Sequence, residues 1–308
     1  MTRDYQKFSK ILVPLDGSAF SEMASVYAAG LVKNQEVELI LLHVLASARR
    51  DLLEAEHDYL DRRAETINAV IEAQAEPGAS KPEIKKELVI GHPADEILGF
   101  IRNSGINLIV MATHGRSGIS SLVMGSVANR VVRASEIPVL LVKPSEGKGV
   151  DQDTNVTRKV IIPLDGSKSG ESVVSLVQTF ISQFGDEQSE IILLSVCEPN
   201  PVQSGYSVVV SEAAQAAAVK AFKHELEAEQ YICELAGLVR SDGFNVSTEI
   251  VTGDPAEKII EQASKNGVNL IAMATHGRSG ITRIAYGSVA EAVIHRTKTP
   301  ILLIRPSQ

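Results

Sequence analysis

One stretch occurs twice in this chain, and it restricts the available folds more than any other feature. Residues 111–126 read MATHGRSGISSLVMGS, and residues 273–288 read MATHGRSGITRIAYGS. Each copy follows an apolar run, INLIV at 106–110 and VNLIA at 268–272, and each leads into a helix-like segment. Strand, loop rich in Gly and Ser, then helix start is an arrangement suited to an anion. Small residues let backbone N–H groups come close, and a helix N-terminus adds unpaired donors and partial positive charge. In both copies nine residues lie between the inner glycine (Gly115, Gly277) and a Gly-Ser pair (Gly125–Ser126, Gly287–Ser288). A repeated spacing of this kind marks an internal duplication.

The length fits that reading, because 308 residues allow two domains of ordinary size. With 44% apolar residues, no Trp and only 4% aromatics, the cores must be built from Val, Ile, Leu and Ala. A net charge of −8 argues against general binding to nucleic acid or a membrane surface, which favours a basic face. It does not exclude a nucleotide, which feels the local loop. Cys197 and Cys233 have neither metal-ligand spacing nor the density of a disulfide scaffold, so they read as two reduced thiols. The start, MTRDYQKFSK, lacks the apolar centre of a signal peptide, and no apolar run nears the roughly 20 residues of a membrane span. A cytoplasmic location is expected.

Taken in order, short apolar runs alternate with helical patterns. KILVPLD (10–16) reads as a buried strand, Ser18 as the cap of a helix to about residue 31, and EVELILLHV (36–44) as a second strand. An amphipathic helix over 50–76, a strand at 83–90, a short helix to about 104 and the strand INLIVMA (106–112) follow. A helix at about 125–135 and the strand VLLVK complete the first half. The second half repeats this order, with strands RKVIIPLD (158–165), EIILLSV (190–196) and FNVSTEIV (244–251), and a long helix at about 209–241. The offset between copies is 149 at Asp16/Asp165, 152 at Glu38/Glu190 and 162 from Gly91/Gly253 onward. About ten extra residues therefore fall before or within the second half's long helix, and EPNPVQSGYS (198–207) is the stretch with loop character.

Alternating strands and helices with continuously apolar strands predict a parallel sheet covered on both faces. The expected architecture is α/β: two repeated, doubly wound, Rossmann-like domains, each a five-stranded parallel sheet. Domain one is expected at 1–144, a polar linker at 145–157 and domain two at 158–308. Ligands of such sheets bind outside the carboxyl ends of the strands, where strand order reverses. There the exit of the first strand, with Asp16 or Asp165, should face the exit of the fourth, with its Gly-Ser loop.

Asp16 and Asp165 can accept from ribose hydroxyls, help hold a cation, or form Asx turns with Gly17 and Gly166. Gly115, Gly125, Ser126, Gly277, Gly287 and Ser288 are the candidate phosphate cradles. His114 and His276 each lack a neighbouring nucleophile and orienting carboxylate, so they read as packing or hydrogen-bonding residues. Arg116 and Arg278 either meet terminal phosphates or lie in solvent. No Walker loop, G-x-G-x-x-G strand exit, nucleophile elbow or H-E-x-x-H helix occurs, and no residue is marked as a general base.

Both halves, roughly 8–144 and 157–306, resemble the universal stress protein family. That family's motif is Gly, two residues, Gly, nine residues, then Gly and Ser or Thr. Here Gly115 with Gly125–Ser126, and Gly277 with Gly287–Ser288, match it, and the strand exits V-P-L-D-G-S and I-P-L-D-G-S are typical of the family. The resemblance implies ATP or AMP as ligand, with Mg2+ accompanying ATP. It places Asp16 and Asp165 by the ribose, the backbone near Val44 and Val196 by adenine, and the Gly-Ser pairs by phosphates. The family's first glycine is Ala112 here and Ala274 in the second copy. If that position needs positive φ, Ala costs about 1 kcal/mol or more; if it needs only small size, Ala serves. The implied role is a nucleotide-binding regulator of stress responses, dimer-like within one chain and not expected to be an enzyme, with further homo-oligomerisation left open. A slow ATPase or phosphotransferase and a non-binding scaffold are the alternatives.

The ends of the halves, Val139–Val142 and Ile301–Ile304, read as apolar edge strands. Such edges must be covered, and antiparallel pairing of the two about a pseudo-twofold axis is the expected cover.

Overall fold

The computed structural model describes residues 7–47, 50–115, 124–143, 154–197, 212–275 and 287–305. The first half runs β1 (Lys10–Leu15), α1 (Ala19–Val32), β2 (Glu38–Leu45), α2 (Arg50–Gln74), β3 (Glu83–Ile90), α3 (Pro93–Ser104), β4 (Leu108–Ala112), α4 (Ser126–Ala134) and β5 (Val139–Val142). The second runs β6 (Lys159–Leu164), α5 (Lys168–Phe184), β7 (Glu190–Cys197), α6 (Glu212–Ser241), β8 (Asn245–Thr252), α7 (Pro255–Lys265), β9 (Leu270–Ala274), α8 (Ser288–Arg296) and β10 (Ile301–Ile304). The repeat is α/β throughout. The three-residue insertion lengthens a helix, α5 having 17 residues against 14 in α1; the ten-residue one precedes α6, between Cys197 and Glu212, outside the described residues.

Within each half all strand pairs are parallel, and register is preserved between copies. Lys10 pairs with Glu38 as Lys159 pairs with Glu190, which reproduces the offsets of 149 and 152. The halves join through their last strands. β10 runs antiparallel to β5, with Leu302 opposite Leu140, giving one ten-stranded sheet in the order β3-β2-β1-β4-β5-β10-β9-β6-β7-β8. Because the halves run in opposite senses across this seam, the carboxyl ends of their strands lie on opposite edges of the sheet.

Strand residues alternate between two apolar layers. Ile11, Val13, Leu39 and Leu41 pack with α1 and α2, whereas Leu12, Ile40 and Leu42 pack with α3 and α4; the second half does the same with α5, α6 and α7, α8. All four residues of β5 and all four of β10 are buried, so the short apolar edges are closed by one another.

The seam is not the only link between the halves. Phe8, ahead of β1, is 1% exposed and packs on Phe180 and Phe184 of α5, while Val156 and Thr157, ahead of β6, are equally buried. The end of the stretch read as a polar linker is thus part of the packed structure.

Lys143, one residue past β5, is half-buried, and that burial lowers its pKa to about 8. The unfolded chain holds the Lys143 proton up to about pH 10.4. Between about pH 8 and 10.4 the unfolded state therefore binds a proton that the native state does not, and this group makes stability rise with pH. Lys143→Met should melt higher than the parent at pH 7. The gap should shrink as pH rises through that window, and a gap independent of pH would refute the burial assignment.

Candidate functional site

The site starts with a proline. Pro14 in β1 and Pro163 in β6 offer no N–H to a neighbouring strand. Pairing of β1 with β4 stops at Leu12, and pairing of β6 with β9 stops at Ile161. Beyond those residues the two central strands of each half part, and the crevice lies between their exits. Gly17 and Gly166 then take φ 75°, a left-handed value that turns the chain from strand into helix.

In the first half Asp16 accepts from Ser18 through both its N–H (3.0 Å) and its hydroxyl (2.6 Å). Ser18 also caps α1, accepting from Ser21 N. Across the crevice Gly115 approaches so closely that a Cβ on it would stand 2.2 Å from Asp16 Oδ2. The acidic residue and the inner glycine therefore meet, and only a residue without a side chain allows it. Gly125 N donates to Thr113 O at 2.8 Å, tying the Gly-Ser pair back to the exit of β4. In the second half Gly287 N makes the same bond to Thr275 O, also at 2.8 Å.

α4 and α8 begin at Gly125 and Gly287, which supply no side-chain cap. Their first-turn N–H groups are left to water or a ligand. By contrast, Ser18, Ser167 and Asp254 cap α1, α5 and α7 with their side chains. His114 reaches Thr113 Oγ1 with Nδ1 at 2.9 Å and packs toward Phe20 at 6.4 Å between centroids. Burial and the neighbouring Glu22 raise the Tyr59 pKa to about 12.

A cavity of about 310 Å3 opens in the second half. Asp165, Val196, Ala274, Gly287 and Ser288 all line it, together with Ser167, Thr275 and the apolar Pro163, Pro255, Ile259 and Met273. Residues from three strand exits (β6, β7, β9) and three helix starts (α5, α7, α8) thus converge on one space. Ala112 and Ala274 end β4 and β9 and are paired in the sheet with Val142 and Ile304. Their backbone is extended, so positive φ is not required there and small size is what the position asks for.

Shifting the cavity residues by 149, 152 or 162 finds the same residue in the first half at fourteen of fifteen positions. Pro14, Asp16, Ser18, Val44, Pro93, Ile97, Met111, Ala112, Thr113, Gly125 and Ser126 are among them; the exception is Gly170, replaced by Ser21. Thr113/Thr275, Pro93/Pro255 and Ile97/Ile259 were not among the expected site residues, although this identity between the halves was the signal available for them. Gly277, His276, Arg116, Arg278 and the stretch 198–207 lie outside the described residues. Among the described residues no three His, Cys, Asp or Glu side chains converge as a metal site.

A sequence model of the Universal stress protein family matches the chain twice, over residues 7–143 and 157–305. A universal stress protein of Mycobacterium tuberculosis is 25% identical over 307 residues, covering 96% of this chain and 97% of its own. One from Bacillus subtilis is 32% identical over 148 residues, which is 44% of this chain and 99% of that protein, so it corresponds to a single half. The crystal structure of a universal stress protein from Archaeoglobus fulgidus shares the fold at a TM-score of 0.66 and 19% identity, with 98% of each chain covered.

Proposed function

The chain belongs to the universal stress protein family, and from that premise we propose that it is a regulatory protein of the stress response that binds an adenine nucleotide, ATP or AMP, in each half. The observation that carries this reading is the second-half cavity, where Asp165, Val196, Ala274, Gly287 and Ser288 line one space of about 310 Å3. That volume lies within the usual range for a small-ligand site, as does a lining that is mainly apolar with a few convergent polar groups. The near-complete identity of the first half's residues extends the proposal to both halves.

In this reading each end of the nucleotide meets the chemistry it needs. Uncapped first-turn N–H groups of α4 and α8, with the Ser126 and Ser288 hydroxyls, hold phosphate. Asp16 and Asp165 accept from ribose hydroxyls, which a carboxylate does well. The base lies against the apolar side near Val44 and Val196. Mg2+ would come with ATP, held chiefly by phosphate oxygens, as is usual for this ion. No helix among the described residues is long and apolar enough to cross a membrane; a cytoplasmic setting is part of the same proposal. So are the division at 1–144 and 158–308 and the action of the two halves as an intramolecular pseudo-dimer.

Protein purified without added nucleotide, denatured and passed over an ion-exchange column should release ATP or AMP. If it releases none, and neither nucleotide binds saturably on titration, the proposal fails.

A further inference from the structure

The walls of the two clefts are nearly identical, but the helices that begin at them are not. Ser126 opens α4 and Ser288 opens α8, and three residues later the chain carries Asn129 in the first half and Glu291 in the second. Residues three apart share a helix face, with Cβ atoms about 5–6 Å apart. A phosphate held at Ser288 therefore has a carboxylate close by, whereas one held at Ser126 has a neutral amide. Glu291 lies in the first turn of α8, where the helix dipole favours any anion. Left alone, this carboxylate would repel the phosphate and compete with it for the same partial charge.

The cation beside it comes from the other half. Arg133, in the last turn of α4, reaches across the seam and places Nη2 3.8 Å from Glu291 Oε1. Its Nε donates to Asn129 Oδ1 at 2.6 Å, four residues back along α4. Its backbone is held as well, because Arg133 O accepts from Arg305 Nη1 at 3.1 Å and Arg305 directly follows β10. One guanidinium thus touches the first turns of both helices, the neutral one by a hydrogen bond and the acidic one by its charge. The antiparallel pairing of β5 with β10 permits this, since it sets the last turn of α4 beside the first turn of α8. Both side chains are partly exposed, 34% at Arg133 and 49% at Glu291, so solvent and salt keep the effect of the pair moderate.

Resting on the nucleotide reading above, we propose that Arg133 of the first half is a positioning residue for the phosphate site of the second, acting by balancing the Glu291 carboxylate. The second cradle then borrows across the seam the charge it needs to accept an anion. The first cradle, with Asn129 in the same place, has no carboxylate to balance.

The test is calorimetric titration of the full chain with ATP in a Gly125→Val background, which leaves the second site to be read. Arg133→Ala should weaken that site about two- to fivefold, the range open to a partly exposed ion pair. Arg133→Lys, which keeps the charge, should restore most of the affinity. The loss should fade as salt is raised toward about 1 M, where the Debye length is about 3 Å, and a purely structural role for Arg133 would not show this. Glu291→Gln keeps the side chain's shape, so it holds the test decisive if Arg133→Ala proves poorly folded on thermal melting. Alone it should bind ATP at least as tightly as the background, and Arg133→Ala added to it should have no further effect. A second site unmoved by Arg133→Ala, an equal loss with Glu291→Gln in place, or weaker binding on Glu291→Gln alone overturns the inference while leaving nucleotide binding intact. Absence of saturable binding in the parent protein overturns the nucleotide reading and this inference with it.

Discussion

Phe8→Ala should cost the folded chain about 3–5 kcal/mol, the range for emptying a buried aromatic site. Phe8 is 1% exposed although it lies two residues before the first strand. Its ring stands edge-on to Phe180 at 5.8 Å and stacks on Phe184 at 5.7 Å, and those two rings meet at 5.2 Å. Gln183 closes the arrangement, accepting from Phe8 N and donating to Phe8 O, both at 2.7 Å. Its own carbonyl accepts from Gln35 Nε2 at 2.7 Å. Apart from the meeting of Phe180 with Phe184 inside α5, every one of these contacts joins the first half to the second. Truncation leaves a cavity at that junction, while Gln183 keeps its bonds to the backbone of residue 8, so the loss reports on the ring. Urea unfolding followed by circular dichroism gives the measurement, with Gln183→Ala as companion at about 1–3 kcal/mol for the unpaired backbone groups it leaves. If the halves unfold separately in Phe8→Ala, two transitions will replace one. A loss below about 1 kcal/mol would mean that the ring is not packed as described.

This aromatic junction was not legible in the sequence, and the reason is physical. A lone Phe before a strand belongs to no periodic pattern, so neither helical nor alternating spacing marks it. Val156 was hidden for a similar reason, inside a stretch whose other residues are polar and turn-forming. The strands were legible because a sheet covered on both faces requires continuous apolar runs such as LIVMA and LIAMA. The seam could be anticipated because VLLV and ILLI are too apolar to remain as open edges. Around the candidate site the glycines and the aspartates stood out through conformation and charge. Thr113, Pro93 and Ile97 did not, since residues that only shape a wall carry no chemical signature alone. Ser21 was equally silent: its hydroxyl accepts from Asp16 N at 3.2 Å because the first turn of α1 folds back on the strand exit, and residue spacing does not express that. For Ala112 the sequence left two readings, and the extended backbone of β4 decides between them.

Gly125→Val together with Gly287→Val should abolish saturable ATP binding, a loss of at least about a hundredfold. Both glycines have ordinary helix-entry dihedrals, φ −59° and −62° with ψ near 150°, so valine can adopt the backbone without a left-handed penalty. A Cβ on Gly125 would stand 3.4 Å from Thr113 O and 3.8 Å from His114 Cα, so it fits, but it points toward the strand exit. The two methyl groups beyond it then occupy the mouth of the helix N-terminus, where phosphate oxygens must come within about 3 Å of N–H donors. Valine is also a poor N-cap, and each replacement should cost the fold about 1 kcal/mol. That is small against the stability of a two-domain chain, and melting curves will show whether the variant remains folded. Each single variant should keep one site, so the titration falls from two sites to one and then to none. A folded double variant with parental affinity would remove the Gly-Ser pairs from the nucleotide site.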